Sequence, residues 1–137
     1  MKNKYYPIVI IISGLLMGLA QQPLQLGWLA WISLIPLIFV LNHLRLLKQY
    51  IIVGFIWGAT YYFTVIFWIA TNLGTTPLIG IISMISAVLY CSLTSIIVCF
   101  ICGLYKFFYG KKWFWFMPII WTSIEYIRNL DILSGGP

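Results

Sequence analysis

From about residue 78 to residue 105 the chain carries no charged side chain, and this run restricts its fold more than any other feature. As a helix the run would be about 42 Å long, against a bilayer hydrocarbon core of ~30 Å, so it must tilt or emerge at one end. Four more apolar runs accompany it, at about residues 6–20, 26–41, 50–70 and 113–130. With 63% apolar and 7% charged residues and a mean hydropathy of +1.03, too little polar surface remains to coat a water-soluble globule. The expected fold is all-α: a polytopic transmembrane helix bundle of about five spans, forming one transmembrane domain over residues 1–137. Its core would come from helix packing in lipid rather than from burial out of water.

A formal charge of +6 raises nucleic acid as a partner, but phosphate binding needs basic residues clustered on one polar face. Here they are dispersed between apolar runs, so no nucleic acid partner is expected. Alternate connections hold several basic residues or none. Lys2, Lys4, Arg45, Lys48, Lys106, Lys111 and Lys112 fall on one side, which the positive-inside rule makes cytoplasmic. The connections at residues 21–25 and 71–77 lack Lys and Arg and are expected outside, as are residues 134–137. A cleaved signal peptide is a second reading of the first run, with Gly18 and Ala20 before Gln21 as the processing site. The second run is short and contains Pro36, so a kinked span and a re-entrant hairpin with the first run both remain open.

Gly14-Leu-Leu-Met-Gly18 and Gly54-Phe-Ile-Trp-Gly58 have the small-xxx-small spacing that lets helix backbones approach closely. In the fourth run Ser83, Ala87, Cys91, Ser95, Cys99 and Gly103 recur every four residues and predict one winding ridge of small side chains. Cys99 and Cys102 form a CxxC spacing, with His43 on the same side. A redox or zinc site would need a different setting and more ligands, so the cysteines read as packing residues and His43 as a solvated loop residue. No metal or cofactor is called for.

Both carboxylates of the chain, Glu125 and Asp131, lie in its last twenty residues, and Arg128 follows Glu125 by one helical turn. A charge inside an apolar span costs a few kcal/mol even on lenient scales, so Glu125 and Arg128 are the candidate site residues. Two readings stand side by side. They form a self-satisfied ion pair that orients the helix, or a pair that also lines a lipid or substrate path.

A family resemblance runs through the same landmarks. Ser13-Gly-Leu-Leu-Met-Gly-Leu-Ala20, Pro23 and Gly27-Trp28-Leu-Ala-Trp31-Ile-Ser-Leu-Ile-Pro36 resemble the opening helical pair of bacterial apolipoprotein N-acyltransferases. Gly54-Phe-Ile-Trp-Gly58, Phe67-Trp68-Ile and Trp121 followed by Glu125-Tyr-Ile-Arg128 continue the likeness, and Gly136-Pro137 stands at that family's Gly-Phe-Pro-Trp turn. The resemblance implies an enzyme of the bacterial cytoplasmic (inner) membrane that moves an acyl chain from a phospholipid to the N-terminal diacylglyceryl-cysteine of a lipoprotein through a thioester. It also implies that the Glu, Lys and Cys of the chemistry belong to an extracytoplasmic nitrilase-like domain, which residues 1–137 do not contain.

No catalytic residue is therefore assigned in this chain, which is expected to be the first membrane part of such an enzyme and inactive alone. Membrane phospholipid is the expected partner, joined by a lipoprotein substrate once the full enzyme is assembled. The alternative is a stand-alone small polytopic membrane protein with a scaffold, binding or transport role. A transporter would carry more polar residues or broken helices near the midplane than Pro36 and Pro118 provide.

Overall fold

The structure is a computed structural model that describes residues 5–21, 26–71, 74 and 76–128, apart from the side chains of Lys111, Lys112, Glu125 and Arg128. It is all-helical, with no strand among the described residues. The elements are α1 (Tyr6–Leu19), α2 (Leu29–His43), α3 (Leu47–Ile66) with a 3-10 extension Phe67–Thr71, α4 (Pro77–Tyr109), a 3-10 segment Gly110–Phe116, and α5 (Met117–Arg128). Five helices thus replace the five apolar runs, with boundaries a few residues from those expected. Two of them are long and apolar enough to cross a membrane, residues Leu47–Thr71 and Pro77–Tyr109, while Tyr6–Leu19, Leu29–His43 and Trp113–Ile124 are shorter apolar helices.

Local chemistry explains the boundaries. Proline stands in the first turn of α1 and at the start of α4, where its missing N–H breaks no helical bond. Pro118 follows the same rule, because Trp113 to Phe116 are 3-10 and α5 begins only at Met117. Pro36, by contrast, lies inside a continuous α2. Gln49 Oε1 accepts the backbone N–H of Arg45 (3.2 Å) and Leu46 (3.4 Å), closing the start of α3. Gly110, at φ 60°, turns the chain out of α4.

The bundle is organised around α3, which packs on α1 along one side and on α4 along the other. Both glycine pairs act as expected. A Cβ at Gly14 would come within 3.0 Å of the Trp57 carbonyl oxygen, and one at Gly54 within 2.8 Å of the Ser95 carbonyl oxygen and the Ile96 Cα. At Gly58 it would meet the Ser95 Cβ at 2.8 Å. Wherever a neighbour's backbone is the obstacle, only glycine permits the approach.

The ridge of α4 requires a correction. Ser95, Cys99 and Gly103 are buried as expected, but Ala87 and Cys91 are half-buried and Ser83 is exposed, whereas Val88, Ser92, Val98 and Cys102 are buried instead. A step of four residues overshoots a full turn by about 40°, so five such steps carry the ridge more than halfway round the helix. The residues that stay on the α3 side, Val88, Ser92, Ser95, Cys99 and Cys102, alternate steps of four and three.

Around this core the outward faces are apolar. Trp31, Phe107, Phe108, Trp115, Leu78 and Tyr126 are each more than two-thirds exposed, an arrangement that suits lipid rather than water. The polar groups gather at the ends. Lys106 Nζ donates to the carbonyls of Leu41 (3.0 Å), Asn42 (2.6 Å) and Leu44 (2.9 Å), so the end of α4 and the α2–α3 connection with Arg45 and Lys48 share one end of the bundle. The Tyr6 ring, 6.1 Å from that of His43, puts the start of α1 there too. Lys2 and Lys4, the side chains of Lys111 and Lys112, residues 22–25, residues 72, 73 and 75 of the 71–77 connection, and residues 129–137 with Asp131 lie outside the described residues.

Candidate functional site

The middle of the bundle is tied by a chain of hydrogen bonds that crosses three helices. The Trp57 indole N–H of α3 donates to Ser13 Oγ of α1 at 2.9 Å, and Ser13 Oγ donates in turn to the Ser33 carbonyl of α2. Ser33 Oγ finishes the chain on the Ala30 carbonyl at 2.9 Å. Trp57, Ser13 and Ser33 are fully buried, so each polar atom has found the partner that an apolar interior obliges it to find.

Two hollows open off this spine and share one wall. The first, of about 370 Å³, lies toward the end of the bundle opposite Lys106 and is bounded by Met17, Gln21, Tyr61, Tyr62, Cys91 and Trp121. Gln21 Nε2 donates to the Tyr61 hydroxyl at 2.7 Å, which fixes both polar groups at its rim. The second, about 270 Å³, is a groove between α2 and α5 bounded by Trp31, Leu34, Ile38, Met117 and Pro118, again with Met17 and Trp121. The Trp121 ring stands edge-on to Trp57 with centroids 5.3 Å apart, so the tryptophan that divides the hollows is braced by the central helix. A polar-rimmed chamber beside an apolar groove matches the two ends of an amphiphile.

The groove exists because of how the short helices are apportioned. α2 packs on α1, and α5 packs on α4. Trp113, in the 3-10 segment that leads into α5, is fully buried with its N–H on Asn42 Oδ1 at 2.9 Å and so ties that segment to the end of α2. Trp31, at the groove's edge, is 83% exposed.

The positions of Glu125 and Arg128 lie on α5, and their side chains are outside the described ones, as is Asp131. Cys99 and Cys102 are buried in the α3–α4 contact, where a Cβ at Gly54 would meet that of Cys99 at 3.1 Å, so they are packing residues. Cys91 borders the chamber and is half-buried. His43 is exposed at the end of α2, its Nδ1 on the Phe39 carbonyl at 2.8 Å and its ring 4.5 Å from that of Phe39. Sequence reasoning did not single out Gln21, Tyr61 or Trp121 as neighbours. Their only sequence signal is a polar or amphipathic side chain at the edge of an apolar run, which a membrane interface explains equally well.

The family model for the apolipoprotein N-acyltransferase N-terminal domain matches residues 13–137. No curated protein matches, and no solved structure matches. The matched stretch contains both hollows, with every residue of the hydrogen-bonded spine.

Proposed function

The chain belongs to the apolipoprotein N-acyltransferase N-terminal domain family, and from that membership we propose that it is the membrane platform on which a phospholipid is presented for transfer of its acyl chain to the N-terminal diacylglyceryl-cysteine of a lipoprotein. The observation that carries this reading is the apolar groove between α2 and α5 backed by the polar-rimmed chamber. The groove takes an acyl chain side-on from the bilayer, and Gln21 and Tyr61 meet the polar part of the lipid. Glu125 and Arg128, one turn apart in sequence near the end of α5, remain candidates for a lipid or substrate path in the same proposal.

The platform crosses the bacterial inner membrane five times, with the Lys106 end cytoplasmic and the chamber toward the outer leaflet. Exposed aromatic residues at both ends of the short helices mark the two interfaces. In the same proposal no described side chain is assigned to the chemistry: an acyl-accepting thiolate needs a base and an oxyanion-stabilising partner within hydrogen-bond reach, and Cys99 and Cys102 are buried in the α3–α4 contact.

A phospholipid carrying a photoactivatable group in its acyl chain tests the reading. After irradiation in vesicles, adducts are expected on Met117 and Trp121, and Ile38→Trp, which fills the groove, should abolish them while outward α4 residues such as Ile82 and Leu89 remain labelled. Adducts at Met117 and Trp121 that persist in Ile38→Trp would overturn the groove. With a labelled acyl group, a hydroxylamine-sensitive adduct on Cys91, Cys99 or Cys102 would overturn the assignment of chemistry elsewhere.

A further inference from the structure

The basic end of the bundle holds a third hollow of different character, about 530 Å³, where α2 hands over to α3 against the end of α4. We propose that this hollow binds the phosphate of an anionic phospholipid from the leaflet facing the basic end, at a site separate from the groove between α2 and α5. The proposal rests on the membrane reading above but not on acyl transfer.

The cations come first. Lys106 Nζ spends its three donors on the Leu41, Asn42 and Leu44 carbonyls and lies 5.8 Å from the Tyr50 ring centroid, so its charge is fixed at the wall of the hollow. The Tyr50 hydroxyl donates to the Leu41 carbonyl at 2.9 Å, which removes it as a competitor for a ligand and stiffens the same wall. Lys106 therefore contributes field, and the bonds to a ligand must come from elsewhere. Arg45 and His43 border the hollow and are both exposed. His43 commits its Nδ1–H to the Phe39 carbonyl and is assigned no bond to the ligand, whereas the Arg45 guanidinium has no partner among the described residues.

The segments that line the hollow, residues 42–50 and 103–107, contain no Asp or Glu. A planar guanidinium lining the same hollow as a fixed ammonium suits a phosphate monoanion, and Arg holds one by paired N–H donors. The apolar surroundings decide the source of that phosphate. Among the residues that line the hollow, Phe107 is 82% exposed and Leu47 40%. Such a rim is where acyl chains lie beneath a headgroup, and it offers nothing to a free hydrated anion.

The test uses the whole chain in vesicles of zwitterionic phospholipid, with and without phosphatidylglycerol. Vesicle flotation first establishes insertion; a chain that stays behind defeats the membrane reading, and this proposal with it. For the inserted chain, native mass spectrometry after mild detergent release should retain phosphatidylglycerol on the wild type. Arg45→Gln should weaken retention about tenfold, as loss of a charge-assisted pair implies, and Arg45→Lys should restore part of it. Lys48→Gln removes an equal charge from an exposed residue outside the hollow and should leave retention unchanged. Equal losses in Arg45→Gln and Lys48→Gln would overturn the site in favour of diffuse attraction. Displacement of the lipid by millimolar inorganic phosphate would overturn the lipid as its occupant.

Discussion

Ser13 is where a single side chain does most for this fold. Its hydroxyl accepts from the Trp57 indole and donates to the Ser33 carbonyl, so one oxygen joins α1, α2 and α3. Ser13→Ala leaves a buried indole N–H without an acceptor and should cost about 1 kcal/mol or more, measured as a lower midpoint of denaturant unfolding in micelles. Trp57→Phe should cost a similar amount, and the double variant clearly less than the sum, since both remove the same bond. Additive losses would show that the bond contributes nothing. Ser95 makes the opposite case. It is 1% exposed and its hydroxyl has no partner among the described residues, so Ser95→Ala should leave the midpoint unchanged or raise it.

At the scale of the element, α4 shows where a sequence pattern misleads. The four-residue ridge was legible, yet its first half turns away from α3, and the true contact follows steps of four and three. Ser95→Leu should therefore overpack the α3–α4 contact at Gly58 and cost typically ~1–3 kcal/mol, while Ser83→Leu, on the exposed side, should be tolerated. Folded yield after detergent extraction distinguishes the two, and equal loss would restore the four-residue ridge as the interface. Leu89 and Ile97, both 49% exposed, should tolerate replacement by alanine in the same assay.

For the molecule as a whole, the proposed topology makes a direct expectation. With Cys91, Cys99 and Cys102 replaced by alanine, Leu46→Cys and Tyr109→Cys should react with an impermeant thiol reagent from the cytoplasmic side, and Gly74→Cys from the other. Labelling of Gly74→Cys only from inside would remove the crossings of α3 and α4 and overturn the five-span topology. The sequence by itself determined that the chain is helical, where each helix lies, and that its basic connections gather at one end, because these follow from apolar run length, proline position and charge. It also marked Gly14, Gly54 and Gly58 as close-approach positions by their Gly-xxx-Gly spacing, whereas Gly80, whose Cβ would meet the Ala70 carbonyl oxygen at 3.0 Å, carried no such signal. Tertiary structure decided which helix each pair would meet, that α3 would be central, and that α2 and α5 would border one groove. Gln21 and Tyr61, forty residues apart, become neighbours only through that arrangement, as do Lys106 and the carbonyls ending α2. The chamber, the groove and the basic hollow are gaps between helices, and a gap has no residues of its own for a sequence pattern to reveal.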